Sequence, residues 1–140
     1  MIDISHKKIT KRTAAASCQI QMSKAAFAIL LKKGSPKGDV FETAKVAGIM
    51  AAKSTPSIIP MCHPLELNKV NLQFVPVSKT SSVLVKSQVV CLGRTGVEME
   101  ALTAVCAAAL TIYDMMKWTD KGMIISDVKL LYKTGGTSGA

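Results

Sequence analysis

The sequence predicts an α+β fold in which helices cover one face of an antiparallel sheet. Three observations lead to this prediction: short runs in which apolar and polar residues alternate, longer runs with helical spacing, and capping residues where those longer runs begin. The elements follow one another in the order β-α-α-β-β-α-β. Without the extra helix, this is the split β-α-β order of ferredoxin-like folds.

The first strand and the first helix are predicted near the N-terminus. Residues 13–22 end in strict alternation, which indicates a strand. Ser23 is a residue type that favours the N-cap position, and it precedes a helix predicted over residues 24–33. Gly34 closes that helix, since glycine is common just beyond a helix C-terminus. One face of the strand carries Cys18, Ile20 and Met22.

The second helix follows a loop over residues 35–38. Asp39 and Glu42 have the spacing of a capping box, which predicts a helix that begins there and ends near residue 53. Residues 54–64 contain three prolines, so this stretch cannot be regular secondary structure throughout.

Three further strands are predicted, the first two of them from alternation. Residues 69–74 alternate, and Pro76 ends the run because proline cannot donate to a strand ladder. The next strand covers residues 83–91, and the last covers residues 123–132, before a glycine-rich tail at residues 135–139. One face of the middle strand carries Val83, Val85, Val89 and Cys91.

The remaining helix lies between these strands and is long. Thr95 and Glu98 again have capping-box spacing, and the helix is predicted to run to about Trp118. Apolar or small residues occupy most of its circumference, and a helix of this kind is buried on more than one side. In a chain of 140 residues this favours association of several copies.

The composition suits one domain over residues 1–140, with 49% hydrophobic residues, 19% charged residues and a formal net charge of +9. Disorder is excluded, because disordered chains have few apolar residues. The positive charge is compatible with three kinds of partner: a nucleic acid, an anionic membrane or a phosphorylated small molecule. No apolar run approaches the ~18 residues of a membrane span and no signal peptide is evident, so we expect a soluble, cytoplasmic protein. The low content of aromatic residues, 4%, disfavours a stacking platform for single-stranded nucleic acid.

The cysteines do not predict a metal site. They are far apart and include no CxxC pair, whereas structural zinc sites use close-spaced pairs. We expect reduced thiols in the core or lining a pocket. These residues are Cys18, Cys62, Cys91 and Cys106.

A polar stripe on the long helix is the first candidate site. At about 100° per residue its members fall within a sector of roughly 120°. Acids and a lysine on an apolar helix are costly to bury unless they meet partners or a ligand. The alternative is a plain ion pair between Asp114 and Lys117 at an exposed helix end. The stripe consists of Glu100, Thr103, Thr111, Asp114 and Lys117.

Two lysines and a histidine add weaker signals. Lys37 precedes a helix N-terminus, where backbone N–H groups and the helix dipole favour an anion. Lys133 precedes the glycine-rich tail, which either cradles a phosphate with its backbone or is simply a flexible end. His63 is either a packed or surface residue or a group that hydrogen-bonds a substrate. Walker A, dinucleotide-binding and α/β-hydrolase motifs are absent from the sequence.

Several runs of residues, in order over essentially the whole chain, match one known family. They are residues 1–5 with Lys7, Thr10 and Arg12, residues 37–41, 47–49, 51–53, 59–65 and 95–104, residues 110–115 with Lys117, and Lys133 with Gly135 and Gly136. On these runs the chain resembles the molybdenum cofactor biosynthesis protein C (MoaC) family, the cyclic pyranopterin monophosphate synthases.

The resemblance implies a ferredoxin-like fold and a defined reaction. Members of the family convert 3′,8-cyclo-7,8-dihydroguanosine 5′-triphosphate to cyclic pyranopterin monophosphate and release pyrophosphate. The resemblance also implies a homohexamer, a trimer of dimers with sites at subunit interfaces, and no required cofactor. Mg²⁺ accompanying the triphosphate is an option, although the sequence offers no evident ligand set for it. A nucleic acid or a membrane is not an expected partner.

By matching position, the resemblance implies three catalytic residues: Asp114 as the acid, Lys117 as its partner, and Lys37 as a catalytic or triphosphate-binding lysine. It implies substrate contacts from Met61, Cys62, His63, Met99, Glu100, Arg12, Lys7 and Lys133. Cationic side chains would stabilise the pyrophosphate leaving group. A lysine desolvated on an apolar helix would release a proton more readily, while Asp114 would oppose this. Glu98 belongs to the family's motif, but its capping-box position ranks it lower as a site residue.

Three positions depart from the family pattern, and two other functions stay open. Met61 replaces the usual leucine, a volume-conserving change. Ala15 occupies the region where a second basic residue often follows Arg12, and Thr137 replaces a common lysine. The other functions are a basic nucleic-acid-binding module, which needs exposed aromatic residues on the sheet, and an oligomeric interaction protein without catalysis.

Overall fold

A computed structural model of the chain, which describes residues 1–136, contains one four-stranded antiparallel sheet with the spatial order β2-β3-β1-β4. The strands are β1 (Thr10–Gln21), β2 (Leu67–Val77), β3 (Ser82–Gly93) and β4 (Ile124–Thr134). The helices are α1 (Lys24–Lys32), α2 (Val40–Lys53), α3 (Thr55–Ile58) and α4 (Glu98–Met116). The predicted α+β class and element order are confirmed, and the strand order is ferredoxin-like.

The core lies between the sheet and the helices α2 and α4. The apolar faces of β1 and β3 are fully buried, which is what their alternating sequences predict. Gly48 of α2 sits where α2 meets both α4 and β2. A Cβ atom at Gly48 would lie 2.9 Å from Cγ of Leu72 and 3.1 Å from the backbone oxygen of Ala104, so only glycine allows this approach.

The predicted caps of the first two helices are confirmed. The hydroxyl of Ser23 accepts a hydrogen bond from the backbone N–H of Ala26, and Oδ1 of Asp39 accepts one from the N–H of Glu42. Gly34 has a φ of 73°, the left-handed conformation that ends a helix.

The capping box predicted at the start of α4 is wrong. The N-cap residue is Val97, and no side chain caps the helix. Because α4 begins at Glu98, the hydroxyl of Thr95 lies too far upstream to cap it. Glu98 instead folds back over Gly96 and forms an ion pair with Lys133 of β4.

Element boundaries differ from the predictions by a few residues. β1 begins at Thr10 rather than at residue 13, and α4 ends at Met116 rather than near residue 118. Pro76 does not end β2, which continues to Val77; β2 is an edge strand, where proline is tolerated. β4 covers residues 124–134 rather than 123–132, and the one-turn helix α3 lies within the proline-rich stretch.

α4 is also the one helix in residues 1–136 that is long and apolar enough to cross a membrane by those criteria alone. The expectation that no apolar run approaches the length of a membrane span needs this qualification. Half of the 18-residue apolar stretch that meets these criteria is buried inside the fold, as is usual for a core helix. α4 is therefore best described as the central helix of the packed layer.

Candidate functional site

Lys37 lies in a tight turn between α1 and α2. The backbone N–H of Lys37 donates to the hydroxyl of Ser35 at 3.1 Å, and Ser35 forms an isolated β-bridge with Gly38. Gly38 has a φ of 120°, a conformation that other residues rarely adopt. The turn places the side chain of Lys37 against the C-terminal end of α4.

Lys37, Asp114 and Lys117 form what we call the acid–lysine cluster. Nζ of Lys37 lies 2.9 Å from Oδ2 of Asp114, and Nζ of Lys117 lies 3.0 Å from Oδ1. Hydrogen bonds from Lys37 and then Lys117, together with their charges, lower the pKa of Asp114. Asp114 is therefore a carboxylate at neutral pH that holds two ammonium groups close to each other.

The cluster corrects one expectation about Lys117. The ion pair between Asp114 and Lys117 is present, as the simpler alternative predicts, and Lys37 extends it. The side chain of Lys117 is 51% exposed, so the desolvation expected from an apolar helix is absent in the single chain.

A pocket at the other end of α4 gathers most of the predicted substrate contacts. We call it the His63–Glu100 pocket, and its volume is about 190 Å³. One wall comes from the segment that follows α3, and the other comes from the first turn of α4 and the loop before it. The lining residues are Met61, Cys62, His63, Leu65, Thr95, Gly96, Glu98, Met99 and Glu100.

Glu100 is the buried acid of this pocket, with only 3% of its surface exposed. Burial raises the pKa of Glu100, and the negative charge of Glu98 raises it further. No ion pair with Glu100 occurs within residues 1–136, whereas Glu98 is paired with Lys133. Glu100 is therefore an acid that keeps its proton to higher pH than an ordinary glutamate. Burial also raises the pKa of the Cys62 thiol beside it.

A larger cavity of about 660 Å³ adjoins this pocket and shares Met61, His63 and Thr95 with it. The N-terminal segment, residues 1–7, forms its other wall and contributes Lys7. Nε2 of His63 lies 2.6 Å from the backbone oxygen of Ile2. His63 is thus neither a plain surface residue nor part of the core.

Arg12 and Lys133 lie near the same end of α4 but are already engaged. Arg12 is 6% exposed and donates from Nε to the carbonyl of Gly93 and from a terminal nitrogen to that of Arg94, both at 3.1 Å. Nζ of Lys133 lies 3.1 Å from Oε1 of Glu98. The backbone of Gly135 and Gly136 packs directly on Arg12, so part of the predicted glycine-rich cradle covers a cation.

The remainder of that predicted cradle, and Thr137 with it, lies outside the described residues. Within residues 1–136, no group of three or more His, Cys, Asp or Glu side chains is placed to hold a metal ion. A role for Mg²⁺ stays a prediction. All four cysteines are free thiols; Cys18 and Cys91 are buried, and burial raises the pKa of Cys18 to about 12.

The predicted site residues therefore form two groups in one chain. Glu100 and Asp114 are 14 positions apart on α4, which at 1.5 Å per residue is roughly 21 Å along the helix axis. Helical angle places them in one sector, but axial distance separates them. Sequence reasoning also missed the carbonyl of Ile2 as the partner of His63 and those of Gly93 and Arg94 as partners of Arg12, because nothing in the spacing of residues signals such contacts.

Known proteins resemble the chain along nearly its full length. The profile of the MoaC family matches residues 1–136. A protein of Desulfatibacillum aliphaticivorans named cyclic pyranopterin monophosphate synthase is 54% identical over 139 residues, which are 99% of this chain and 87% of that protein. Proteins of the same name from Rhodospirillum rubrum and Magnetococcus marinus are 49% and 50% identical, again over 99% of this chain and over 84% and 85% of theirs. With a family match over this extent and relatives at this identity, the chain belongs to the MoaC family.

Proposed function

We propose that this protein is a cyclic pyranopterin monophosphate synthase, a lyase of molybdenum cofactor biosynthesis. It converts the cyclised dihydro-GTP, 3′,8-cyclo-7,8-dihydroguanosine 5′-triphosphate, to cyclic pyranopterin monophosphate and releases pyrophosphate. The observation that carries the proposal is the extent of similarity to proteins of that name, which cover 99% of the chain. We further propose that it works in the cytoplasm.

The acid–lysine cluster supplies the charge that this reaction needs. Cleavage between the α- and β-phosphates leaves a pyrophosphate, whose negative charge is stabilised by fixed cations. Asp114, whose lowered pKa keeps it ionised, orients the ammonium groups of Lys37 and Lys117 and carries no proton of its own. Because both lysines are about half exposed, an incoming phosphate can reach them.

The His63–Glu100 pocket is the proposed site for the ring system. Met61, Cys62, His63, Met99 and Glu100 line it, and Lys7 stands in the adjoining cavity. The raised pKa of Glu100 suits a group that donates a hydrogen bond or a proton to the rearranging ring. Arg12 and Lys133 would contact phosphate only with the donor atoms that their protein partners leave over.

The distance between the two groups argues for a site made by two subunits. Acid–base groups must lie within hydrogen-bonding reach of the reacting atoms, and roughly 21 Å along α4 separates Glu100 from Asp114 in one chain. We propose that the cluster of one subunit faces the pocket of a neighbour in a homohexamer, a trimer of dimers. Leu110, which is 60% exposed on α4, is consistent with burial against another copy.

The test is turnover by the purified protein. Cyclised dihydro-GTP is supplied, and pyrophosphate and the pterin product are measured. We expect Lys37→Ala and Lys117→Ala to fold and to lose turnover, because each removes a cation and leaves Asp114 with one partner. Lys45→Ala, which changes an exposed lysine of α2 outside both groups, is the matched control and should keep parental turnover.

The outcomes separate the three candidate functions. Near-parental pyrophosphate release by either cluster variant would exclude that lysine from catalysis. A folded hexamer that forms no product would favour a non-catalytic interaction protein. Binding of single-stranded RNA by such a preparation would favour the nucleic-acid-binding module.

A further inference from the structure

The N-terminal segment contacts the pocket through one defined hydrogen bond. Nε2 of His63 and the backbone oxygen of Ile2 are 2.6 Å apart, although 61 positions separate the two residues in the chain. The side chains of Met1 and Ile2 are 73% and 79% exposed, so they bury little apolar surface. The backbone carbonyl, rather than the side chain of Ile2, is the group that engages the histidine.

The identity of this partner determines where the ring carries its proton. A carbonyl oxygen only accepts hydrogen bonds, so Nε2 must be the donor. A neutral imidazole has one N–H, and the hydrogen bonds made by the two ring nitrogens decide which nitrogen carries it. With Nε2 protonated, Nδ1 is left as the only acceptor of the neutral ring.

We propose that the backbone carbonyl of Ile2 is a positioning group that holds His63 as the Nε2–H tautomer, so that Nδ1 is the acceptor offered to a ligand. His63 lines both the His63–Glu100 pocket and the adjoining cavity, and the N-terminal segment forms the far wall of the latter. The segment therefore acts on the histidine through a backbone carbonyl. Any residue at position 2 can supply that carbonyl, provided that it does not move the chain. The proposal rests on the proposed function only for its kinetic consequence.

The test uses the full chain with the substitution His6→Gln, since His6 and His63 are the only histidines. Histidine is labelled with ¹⁵N, and the ring nitrogen shifts of sedimented protein are recorded by solid-state NMR at pH 8. Three proteins are compared in this background: the parent chain, Ile2→Ala, which keeps the carbonyl, and a deletion of residues 2–4, which removes it. All three proteins keep Lys7, the lysine that the N-terminal segment contributes to the cavity.

We expect the Nε2–H signature in the parent chain and in Ile2→Ala, and a gain of the Nδ1–H form in the deletion. In the turnover assay, kcat of the deletion should fall roughly two- to twelvefold, the equivalent of one neutral hydrogen bond. A parent chain with Nδ1–H, or a deletion with an unchanged tautomer ratio, would overturn the proposal. A clean tautomer result without any synthase turnover would instead count against the proposed function alone.

Discussion

Replacing Arg12 with methionine tests whether a residue expected to bind phosphate also holds the site together. Arg12 is almost fully buried, and its guanidinium connects β1 to the carbonyls of Gly93, the last residue of β3, and of Arg94 in the loop before α4. That loop leads directly into Glu98 and the lining of the His63–Glu100 pocket. Methionine keeps most of the apolar volume of the arginine stem but none of its donors.

The expected loss of stability follows from the two hydrogen bonds. Each bond from a charged donor contributes about 1.5–3 kcal/mol, which gives about 3–6 kcal/mol for the pair. Removing a buried charge regains part of this, because its desolvation cost disappears. We expect the unfolding free energy of Arg12→Met to be lower than that of the parent by about 2–4 kcal/mol, or roughly 6–16 °C in Tm for a chain of this size.

The assay is urea unfolding at one fixed protein concentration, since association would couple stability to concentration. Lys11→Met is the control, because Lys11 is an exposed neighbour on β1 and its loss should change the unfolding free energy by less than about 0.5 kcal/mol. An Arg12→Met protein as stable as the control would refute a stabilising role for these two hydrogen bonds. If Arg12 also contacts phosphate as proposed, KM for the triphosphate rises at temperatures where the variant stays folded.

Two further changes probe packing and pH. Gly48→Ala should lower the unfolding free energy measured in urea by up to about 2 kcal/mol, because the overpacking cost of about 1–3 kcal/mol exceeds the helix-propensity gain of about 1 kcal/mol. Gly122→Ala is the control and should show no such loss, because a Cβ atom there meets only Asp120, at 3.4 Å. Burial raises the pKa of Glu100, so the contribution of Glu100 to stability is fully present below the ordinary pKa of a glutamate and is lost as the pH rises through the folded value. Glu100→Gln should therefore be more stable than the parent at pH 8 and lose this pH dependence, while the exposed Glu66→Gln leaves it intact; an unchanged profile in Glu100→Gln would contradict the assignment.

Local signals in the sequence were sufficient wherever the stabilising contact is itself local. Ser23 and Asp39 cap helices through bonds to residues three positions away, and Gly34 ends a helix by its own backbone conformation. The same pattern failed at Thr95 and Glu98. There the better partner of the glutamate is Lys133, 35 positions away, which no local spacing reveals.

The candidate site was predictable in its members but not in its arrangement. Helical angle alone put Glu100 and Asp114 together, although the axial rise places them at opposite ends of α4. The contact between Asp114 and Lys37 depends on how the turn before α2 docks against α4, which is a matter of tertiary packing. Backbone acceptors such as the carbonyl of Ile2 are present at every residue and leave no trace in composition.

The place of β1 in the sheet has a consequence for the growing polypeptide on the ribosome. β1 is hydrogen-bonded to β3 on one side and to β4 on the other, and Gln21 pairs with Ile124, which lies 103 positions later in the chain. At about 5–20 residues per second, the second partner of β1 emerges roughly 5–20 s after β1 itself. During that interval the β4 side of this apolar central strand has open backbone groups, which exposes the nascent chain to wrong strand pairing.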